Sequence, residues 1–333
     1  MIVAKTPLRI SFFGGGSDVP GYYNQRGGCV LSTAIDKYMH TVINPTPNQH
    51  LKLTYSKVEI VEDAKHLDHG LAREILKHFK IKSHLEIGTF ADIPTVGTGL
   101  GSSSTYAVGL INALATLKKN DLSRYDIAEL ACKMEIEKCK SPIGKQDQYA
   151  AAFGGLNVIE FNCYRVDVKP LSIPNSTINR LNDNLVMYYT GRTRKANDIL
   201  SIQNSTKNIS NEKYLETMDQ MCEQVYLGRN MLYNGSIDSF GALLDEAWHK
   251  KRELSVGISD PELDDIYAFA KTYGVTGGKL LGAGGGGYFL FYCQKQNQKE
   301  LQKKMEERGL KEFRFNFVDK GTEIVYNSTG LRS

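Results

Sequence analysis

The sequence predicts an α+β fold, because its strand patterns and helix patterns are largely separated along the chain. The first part is rich in short β-branched runs and in apolar residues at alternate positions, which is typical of strands. The last part instead repeats apolar residues every three or four positions, which is typical of amphipathic helices. Hairpin-like strands and paired helices favour this class over a doubly wound parallel sheet.

In the N-terminal part, an interrupted strand pattern at residues 3–13 ends at Gly14, Gly15 and Gly16. Further strands are predicted at residues 29–35, 38–44, 51–55, 58–61, 84–90, 155–161 and 185–189. Helices are predicted from the apolar spacing at residues 67–79 and 107–117. Ser123 and Asp126 form a capping-box pattern, which predicts a further helix that ends near Lys138.

The C-terminal part is predicted to be mainly helical. Helices are predicted at residues 214–233, 240–254, 263–273 and 299–307, a strand at 288–293, and an alternating pattern at 313–317. Between residues 190 and 210, polar residues replace the periodic pattern. We therefore expect two domains, residues 1–190 and 191–333.

The composition is that of a soluble globular protein. The 333 residues are 41% hydrophobic and 23% charged, which suits two domains or one large one. The net charge of +4 is spread along the chain, so we expect neither a nucleic acid nor a membrane as partner. The cysteines form no CxxC pair and no signal segment precedes the first strand, so we expect reduced thiols and a cytoplasmic location. The sequence leaves a homodimer open.

The run IPTVGTGLGSSS at residues 93–104 predicts an anion-binding site. Glycines let the backbone bend closely around a ligand. The helix that follows begins with unpaired N–H groups at the positive end of its dipole. Such a site most often binds phosphate, and the serine hydroxyls add ligands for phosphate or Mg²⁺. The alternative is a Gly/Ser-rich turn that merely precedes a helix.

Two common nucleotide-binding motifs do not fit the chain. The loop lacks the lysine of GxxxxGK[ST], and Lys279 in a second glycine run is followed by Leu280. Residues 282–287 match GxGxxG, but they precede a strand pattern instead of opening a helix after one. The sequence therefore supports neither a Walker NTPase nor a Rossmann dehydrogenase.

Three segments resemble, in order, the motifs of the GHMP family of small-molecule kinases. Residues 6–18 (TPLRISFFGGGSD) are similar to its substrate motif, the loop to its PxxxGLGSS ATP motif, and residues 279–287 (KLLGAGGGG) to its C-terminal glycine motif. The resemblance implies an N-terminal domain with a left-handed βαβ crossover and a ferredoxin-like C-terminal domain. It also implies phosphoryl transfer from ATP, with Mg²⁺, in the cleft between the two domains.

Within this family the chain is similar to the bacterial heptose-phosphate kinases, through RISFFGGGSDVP and through GKQDQY at residues 144–149. This similarity implies phosphorylation of D-glycero-D-manno-heptose 7-phosphate at its anomeric hydroxyl, to the 1,7-bisphosphate that leads to nucleotide-activated heptose for surface polysaccharides. Gly15 and Gly16 replace the acidic-histidine pair of galactokinases, which argues against a galactose-like substrate. The alternatives are another sugar 1-kinase, such as a fucokinase-like enzyme, and a non-catalytic sensor of sugar and ATP on the same fold.

The resemblance also assigns residues to the nucleotide and to catalysis. The nucleotide phosphates are assigned to Gly97, Gly99, Leu100, Gly101, Ser102, Ser103 and Ser104. Ser103 and Glu135 are the expected Mg²⁺ ligands, with Glu137 as a rival carboxylate. Asp147 is the expected catalytic carboxylate, as base or as orienter of the acceptor hydroxyl, and Arg9 would stabilise charge on the transferring group.

Substrate binding is assigned to Gly14, Gly15, Gly16, Asp18, Arg192, Gly284 and Gly285. For Asp18 the alternative is an Asx turn. Arg192, Arg194 and Lys195 would suit a phosphate that the substrate already carries. A solvated basic loop explains those three cations equally well.

Overall fold

A mixed sheet and a smaller antiparallel sheet organise the protein, for which a computed structural model describes residues 1–93, 97–192, 196–203 and 211–328. The strands are β1 (Ile2–Phe13), β2 (Gly28–Pro45), β3 (Leu51–Thr54), β4 (Val58–Val61), β5 (Leu85–Ala91), β6 (Leu156–Phe161), β7 (Val166–Pro170), β8 (Leu185–Tyr189), β9 (Val275–Leu280), β10 (Tyr288–Cys293), β11 (Phe317–Val318) and β12 (Glu323–Asn327). The helices are α1 (Pro20–Arg26), α2 (Gly70–His78), α3 (Ser102–Leu117), α4 (Arg124–Cys132), α5 (Gln146–Phe153), α6 (Asn175–Asp183), α7 (Ala196–Gln203), α8 (Glu212–Asn234), α9 (Phe240–Glu253), α10 (Pro261–Lys271) and α11 (Lys295–Glu307). The predicted α+β class is confirmed.

The larger sheet has the strand order β12–β1–β2–β5–β3–β4; β6 and β11 also pair with β2, and β7 pairs with β6. Its described pairs are antiparallel except β3 with β5, which run parallel and are connected through β4 and α2. The two strands predicted at residues 29–35 and 38–44 are one long strand, β2. A register shift between Pro7 and Leu8 of β1 leaves Asp36 and Lys37 of β2 without a partner in β1, and β2 continues through this irregularity.

The smaller sheet has the strand order β8–β10–β9, and Glu312 forms a bridge with Tyr188 on the free side of β8. With this bridge as a fourth strand, the chain order strand–helices–strand–strand–helix–strand matches the ferredoxin-like arrangement that was predicted. However, β8 lies before the domain boundary expected at residue 190 and still pairs with β10. β11 and β12 return from the C-terminal part to the larger sheet.

Helix α3 occupies the centre of the N-terminal half and is buried along most of its length. Gly109 lets this helix lie close to the larger sheet, because a Cβ there would lie 2.9 Å from Thr6 Oγ1 and 3.0 Å from Thr41 Oγ1. The start of α3 is thereby fixed beside β1. Among the described helices, none combines the length and the apolar character that crossing a membrane would require.

The C-terminal half has its own apolar core between the smaller sheet and its helices. Trp248 is fully buried there against Phe289 and Tyr267. His249, the next residue, lies on the exposed face of α9. Apolar residues three or four positions apart identify the buried face of a helix, but they do not show whether residues at the edges of that face are buried or exposed.

Candidate active site

A cavity of about 710 Å³ lies where β1, the start of α3, the turn before α5 and the C-terminal glycine run meet. This volume is within the usual range for small-molecule sites. Polar lining residues that were predicted from the sequence are Arg9, Asp18, Ser102, Ser103, Ser104, Glu135 and Asp147. The structure therefore brings together residues from three of the sequence motifs.

The glycine-serine loop forms one wall of this cavity. Gly97, Gly99 and Gly101 line it, and Gly101 caps α3 in the left-handed conformation (φ 79°) that glycine adopts most easily. No acidic residue stands in the first turn of α3, whose serines line the cavity, and the carboxylates of Glu135 and Asp147 approach this turn from other elements. This geometry suits a phosphate.

Leu100 is the exception in this loop. Its side chain is fully buried and does not line the cavity, and its carbonyl oxygen accepts a hydrogen bond from the Arg9 backbone N–H at 3.2 Å. Gly99 is packed against the C-terminal glycine run, where a Cβ would lie 2.3 Å from the Leu281 carbonyl oxygen. The loop is therefore held from both sides.

Ser103 and Glu135, the predicted metal ligands, lie in contact. The Ser103 hydroxyl donates to Glu135 Oε1 at 2.7 Å, and Gln148 Nε2 donates to Oε2 at 2.7 Å. Glu135 is carried by a π-helical turn, Lys133–Lys138, which turns this residue inward and leaves Glu137 exposed. Burial raises the pKa of Glu135 above its usual value, which is the effect that a bound cation would offset. A carboxylate beside a hydroxyl fits Mg²⁺ shared with nucleotide phosphates.

Arg9 and Asp147 form the ion pair at the centre of the cavity. Arg9 Nε and Nη2 both lie 2.7 Å from Asp147 Oδ1, and Nη1 donates to the Gly99 carbonyl oxygen at 2.6 Å. Arg9 is 3% exposed, whereas Asp147 stands in the first turn of α5 and stays accessible from the cavity. One guanidinium thus fixes the carboxylate relative to the phosphate loop.

Asp18 holds the turn that carries Asp147. It is 2% exposed, and it accepts hydrogen bonds from the backbone N–H groups of Gly16 at 3.1 Å and Gln146 at 3.0 Å. Burial raises the pKa of Asp18, and the two backbone N–H groups act in the opposite direction. A sugar contact by Asp18 stays a prediction, since both carboxylate oxygens already bind backbone.

The predicted substrate glycines separate into two groups. Gly15 and Gly16 line the cavity. Gly14 instead packs against the Cys29 carbonyl oxygen, and Gly284 and Gly285 pack against Ile258, so none of these three lines it. In the C-terminal run, Gly282 and Ala283 are the residues at the cavity wall.

Arg192 is not brought into the cavity. Its guanidinium pairs with Asp260 at 2.7 Å and with Glu262 at 2.7 Å, and Asp260 also caps the start of α10. The arginine is therefore a link between β8 and α10 in this structure, which differs from the expected phosphate contact. Arg194 and Lys195 lie outside the described residues.

Sequence reasoning missed an aromatic pocket at the far end of the cavity. Tyr55, His69 and Tyr106 form it, with ring centroids 4.8 Å and 5.1 Å apart, beside Met39 and Thr89. Tyr106 Oη and Thr89 Oγ1 are buried and have no hydrogen-bond partner among the described residues. Such a pocket fits a flat heterocycle with polar edges. These residues come from five different elements, so no local motif could have found them.

Two buried lysines also line the cavity, and only one of them, Lys279, lies in a segment singled out from the sequence. Lys251 of α9 donates to the carbonyl oxygens of Gly282 and Leu280. Lys279 of β9 donates to the Phe12 carbonyl oxygen of β1 at 2.7 Å. Their exposed fractions are 6% and 3%.

Comparison with known proteins gives matches over both halves of the chain. Residues 48–155 match the family model of the GHMP kinases N-terminal domain, and residues 230–311 match that of the GHMP kinases C-terminal domain. A D-glycero-alpha-D-manno-heptose 7-phosphate kinase of Campylobacter jejuni is 33% identical over 97% of this chain and 98% of its own length. A bifunctional fucokinase/GDP-fucose pyrophosphorylase of Arabidopsis thaliana is 28% identical over 92% of this chain and 31% of its own length.

Solved structures of similar fold include two bacterial sugar kinases. A D-glycero-D-manno-heptose 1-phosphate kinase of Bacteroides thetaiotaomicron superposes with a TM-score of 0.81 at 24% identity, over 99% of this chain and 100% of the other. A putative sugar kinase of Campylobacter jejuni superposes with a TM-score of 0.77 at 29% identity, over 97% of each chain.

Proposed function

This chain belongs to the GHMP kinase family and is a sugar kinase, and we propose that it phosphorylates the anomeric hydroxyl of D-glycero-D-manno-heptose 7-phosphate. The donor is ATP, the cofactor is Mg²⁺, and the product is the 1,7-bisphosphate, an intermediate toward nucleotide-activated heptose in the cytoplasm. The observation that carries the proposal is the Arg9–Asp147 ion pair fixed beside the phosphate loop.

In the proposed reaction the acceptor hydroxyl lies next to Asp147 and attacks the terminal phosphorus of ATP in line with the leaving oxygen. Asp147 orients this hydroxyl and accepts its proton. Arg9 holds the carboxylate and adds positive charge next to the transferring group, while the N–H groups at the start of α3 bind the nucleotide phosphates. The P–O bond to ADP breaks as the P–O bond to the sugar forms, without a covalent enzyme intermediate.

Ser103 and Glu135 are the residues proposed to hold Mg²⁺, which supplies charge neutralisation between the nucleotide phosphates when it is bound. The aromatic pocket of Tyr55, His69 and Tyr106 is proposed to receive the nucleoside base. Its orphaned hydroxyls at Tyr106 and Thr89 suit the polar edge of a purine.

The choice of acceptor is supported by the similarity to the heptose 7-phosphate kinase, which extends over nearly the whole of both chains. The similarity to the fucokinase-containing protein favours a 6-deoxyhexose as the second candidate. The two candidates differ in one chemical respect, since only the heptose carries a phosphate before the reaction.

The test is an assay of ADP release with a panel of acceptors: heptose 7-phosphate, unphosphorylated heptose, L-fucose, galactose and mevalonate. We expect kcat/KM for heptose 7-phosphate to exceed that for any other acceptor by at least about tenfold, because a site built for a phosphate discriminates strongly against its absence. Phosphorus NMR of the product should give a signal coupled to the anomeric proton. Preference for fucose would support the second candidate, and binding of sugar and ATP without turnover would support a sensor.

A further inference from the structure

We propose that Lys251 and Lys279 bind the phosphate group that the acceptor sugar carries before the reaction, an inference that rests on the proposed function. Both lysines line the cavity and are almost completely buried. They come from different elements, α9 and β9, and Lys251 donates to the carbonyl oxygen of Leu280, the residue that follows Lys279.

Neither lysine has an anionic partner in the part of the chain that the structure describes. The recorded partners are the carbonyl oxygens of Gly282, Leu280 and Phe12. Buried charges are normally paired, because carbonyl dipoles offset only part of the hydration that a buried ammonium loses. Two such groups lining one cavity therefore indicate a site that an anionic ligand completes.

The electrostatics point the same way. Burial, together with the positive charge of Arg9, lowers the pKa of Lys251 to about 8. Burial and the charges of Lys251 and Arg9 lower the pKa of Lys279 well below its usual value. These cations repel one another, and a dianionic phosphate would relieve that repulsion. An ammonium has three donors, so each lysine keeps at least one N–H for a ligand beyond its described bonds.

The position of Lys279 favours the acceptor over the nucleotide as the source of this phosphate. Its ammonium is bound to Phe12 of β1, directly before the Gly14–Gly16 turn whose last two glycines line the cavity. The nucleotide phosphates already have the start of α3 and the Ser103–Glu135 pair. Arg192, the cation expected to hold the sugar phosphate, is bound to two carboxylates outside the cavity.

The direct test measures binding of inorganic phosphate to the full-length protein saturated with a non-hydrolysable ATP analogue and Mg²⁺, so that the nucleotide site is filled. Calorimetry should detect binding of phosphate to the wild-type protein and no binding of nitrate. Lys251→Met and Lys279→Met should each weaken phosphate binding at least tenfold. Lys250→Met is the matched control, because Lys250 lies next on the same helix and pairs with Gln220 outside the cavity.

Three results would overturn the inference. The first is the absence of phosphate binding to the analogue-saturated wild-type protein, which needs no variant and therefore does not depend on whether the variants fold. The second is unchanged phosphate affinity in folded Lys251→Met and Lys279→Met. The third is a tenfold loss of affinity for the ATP analogue in either variant, which would assign the lysines to the nucleotide.

Kinetics separate this inference from the proposed function. With heptose 7-phosphate, Lys279→Met should raise KM for the sugar at least tenfold with KM for ATP within about twofold, and Arg192→Ala should leave both within about twofold. Lys279→Arg, which keeps the charge, should restore most of the sugar affinity. If the protein binds phosphate but turns over only unphosphorylated sugars, the proposed substrate is wrong, whereas an anion site at the two lysines is still supported.

Discussion

Asp147 is the residue on which the chemistry of the site depends. Its carboxylate has one oxygen bound to Arg9, and the other points toward Gly101, where a Cβ would lie 3.2 Å from Oδ2. The carboxylate is thus turned toward the start of the nucleotide helix. The residues around it make its orientation fixed before any substrate binds.

For Asp147→Asn we expect kcat to fall by about 10²–10⁴, because a neutral amide does not accept the proton of the acceptor hydroxyl and cannot form an ion pair with Arg9. Affinity for a non-hydrolysable ATP analogue should change less than threefold. Asp167→Asn, which breaks a surface ion pair with Arg165, is the control and should behave as wild type. A variant at position 147 that keeps more than half of the wild-type kcat would remove the catalytic assignment.

Glu135→Gln tests the metal assignment. We expect the Mg²⁺ concentration for half-maximal activity to rise by roughly tenfold or more, because a neutral amide is a weaker ligand for a hard cation. Glu137→Gln on the same π-helical turn is the matched control. It should leave the Mg²⁺ concentration for half-maximal activity unchanged, since Glu137 faces solvent. The reverse pattern would identify Glu137 as the ligand.

The buried ammonium of Lys251, which has no anionic partner among the described residues, predicts a pH dependence of stability in the ligand-free protein. The pKa of Lys251 is about 8 in the folded protein, whereas the ordinary pKa of a lysine is 10.5. Between pH 8 and pH 10.5, Lys251 of the unfolded chain therefore holds a proton that the folded chain has released. The free energy of unfolding should therefore rise with pH across this window.

Urea unfolding of wild type and Lys251→Met at about pH 7.5 and about pH 10 measures this effect. The stability advantage of the variant should be smaller at the higher pH by about 1–3 kcal/mol, taking roughly 1.4 kcal/mol for each pKa unit. An advantage that is the same at both pH values would mean that the ammonium is not destabilised by burial.

At the scale of elements, the turn between the π-helical segment and α5 is the part that assembles the site. Asp18 binds it through the Gln146 N–H, and Gly144 passes close beneath the Asp18 carboxylate. One short turn therefore fixes both the sugar motif and the catalytic aspartate.

Gly144→Ala should loosen this turn. Its Cβ would lie 2.0 Å from Asp18 Oδ2 and 2.8 Å from the Asp18 carbonyl oxygen, a clash that backbone must relieve. We expect a loss of about 1–3 kcal/mol in the free energy of unfolding together with lower kcat. Gly70→Ala at the start of α2 is the control, because its Cβ would meet only the end of Arg73 at 3.6 Å. Equal stability of the two variants would show that the turn tolerates a side chain.

In the whole molecule, no single point along the chain separates the strands of one sheet from the strands of the other. The C-terminal strands β11 and β12 pair with β2 and β1, and β8 leaves the N-terminal part to pair with β10. We therefore propose that the second unit begins at β8, before residue 190, and that neither unit is complete without the other.

A fragment of residues 1–190 should consequently fail to fold on its own. It lacks the strand that covers the β1 edge and the Thr322 hydroxyl that contacts Thr6 and Asn112, and it exposes β8 without its partner. Circular dichroism and the dispersion of amide signals in NMR spectra would measure whether the fragment is folded. The full chain is the control, and we expect it to unfold in a single calorimetric transition. A fragment with a cooperative unfolding transition would restore the boundary at residue 190.

Features that depend on neighbours along the chain were readable before folding is considered. The α+β class follows from periodicity, and the anion loop follows from glycines that directly precede a helix start. The three ordered motifs indicated the family, and two of them contain Arg9 and Ser103. The family resemblance outside these motifs selected Glu135 and Asp147, and the structure brings all four residues to one cavity. Arg9, Ser103 and Asp147 were accessible to sequence reasoning because each lies in a short run of constrained residue types.

Which charges are paired and which are buried was settled by folding. Arg192 and Lys251 are both cations in the sequence, yet Arg192 meets two carboxylates at the surface, whereas the partners of Lys251 among the described residues are buried carbonyl oxygens. The aromatic pocket and the crossing of strands between the sheets were likewise invisible to local patterns. The physical reason is that burial and Coulomb interactions depend on distances in space, and residues far apart in sequence set those distances only when the chain has folded.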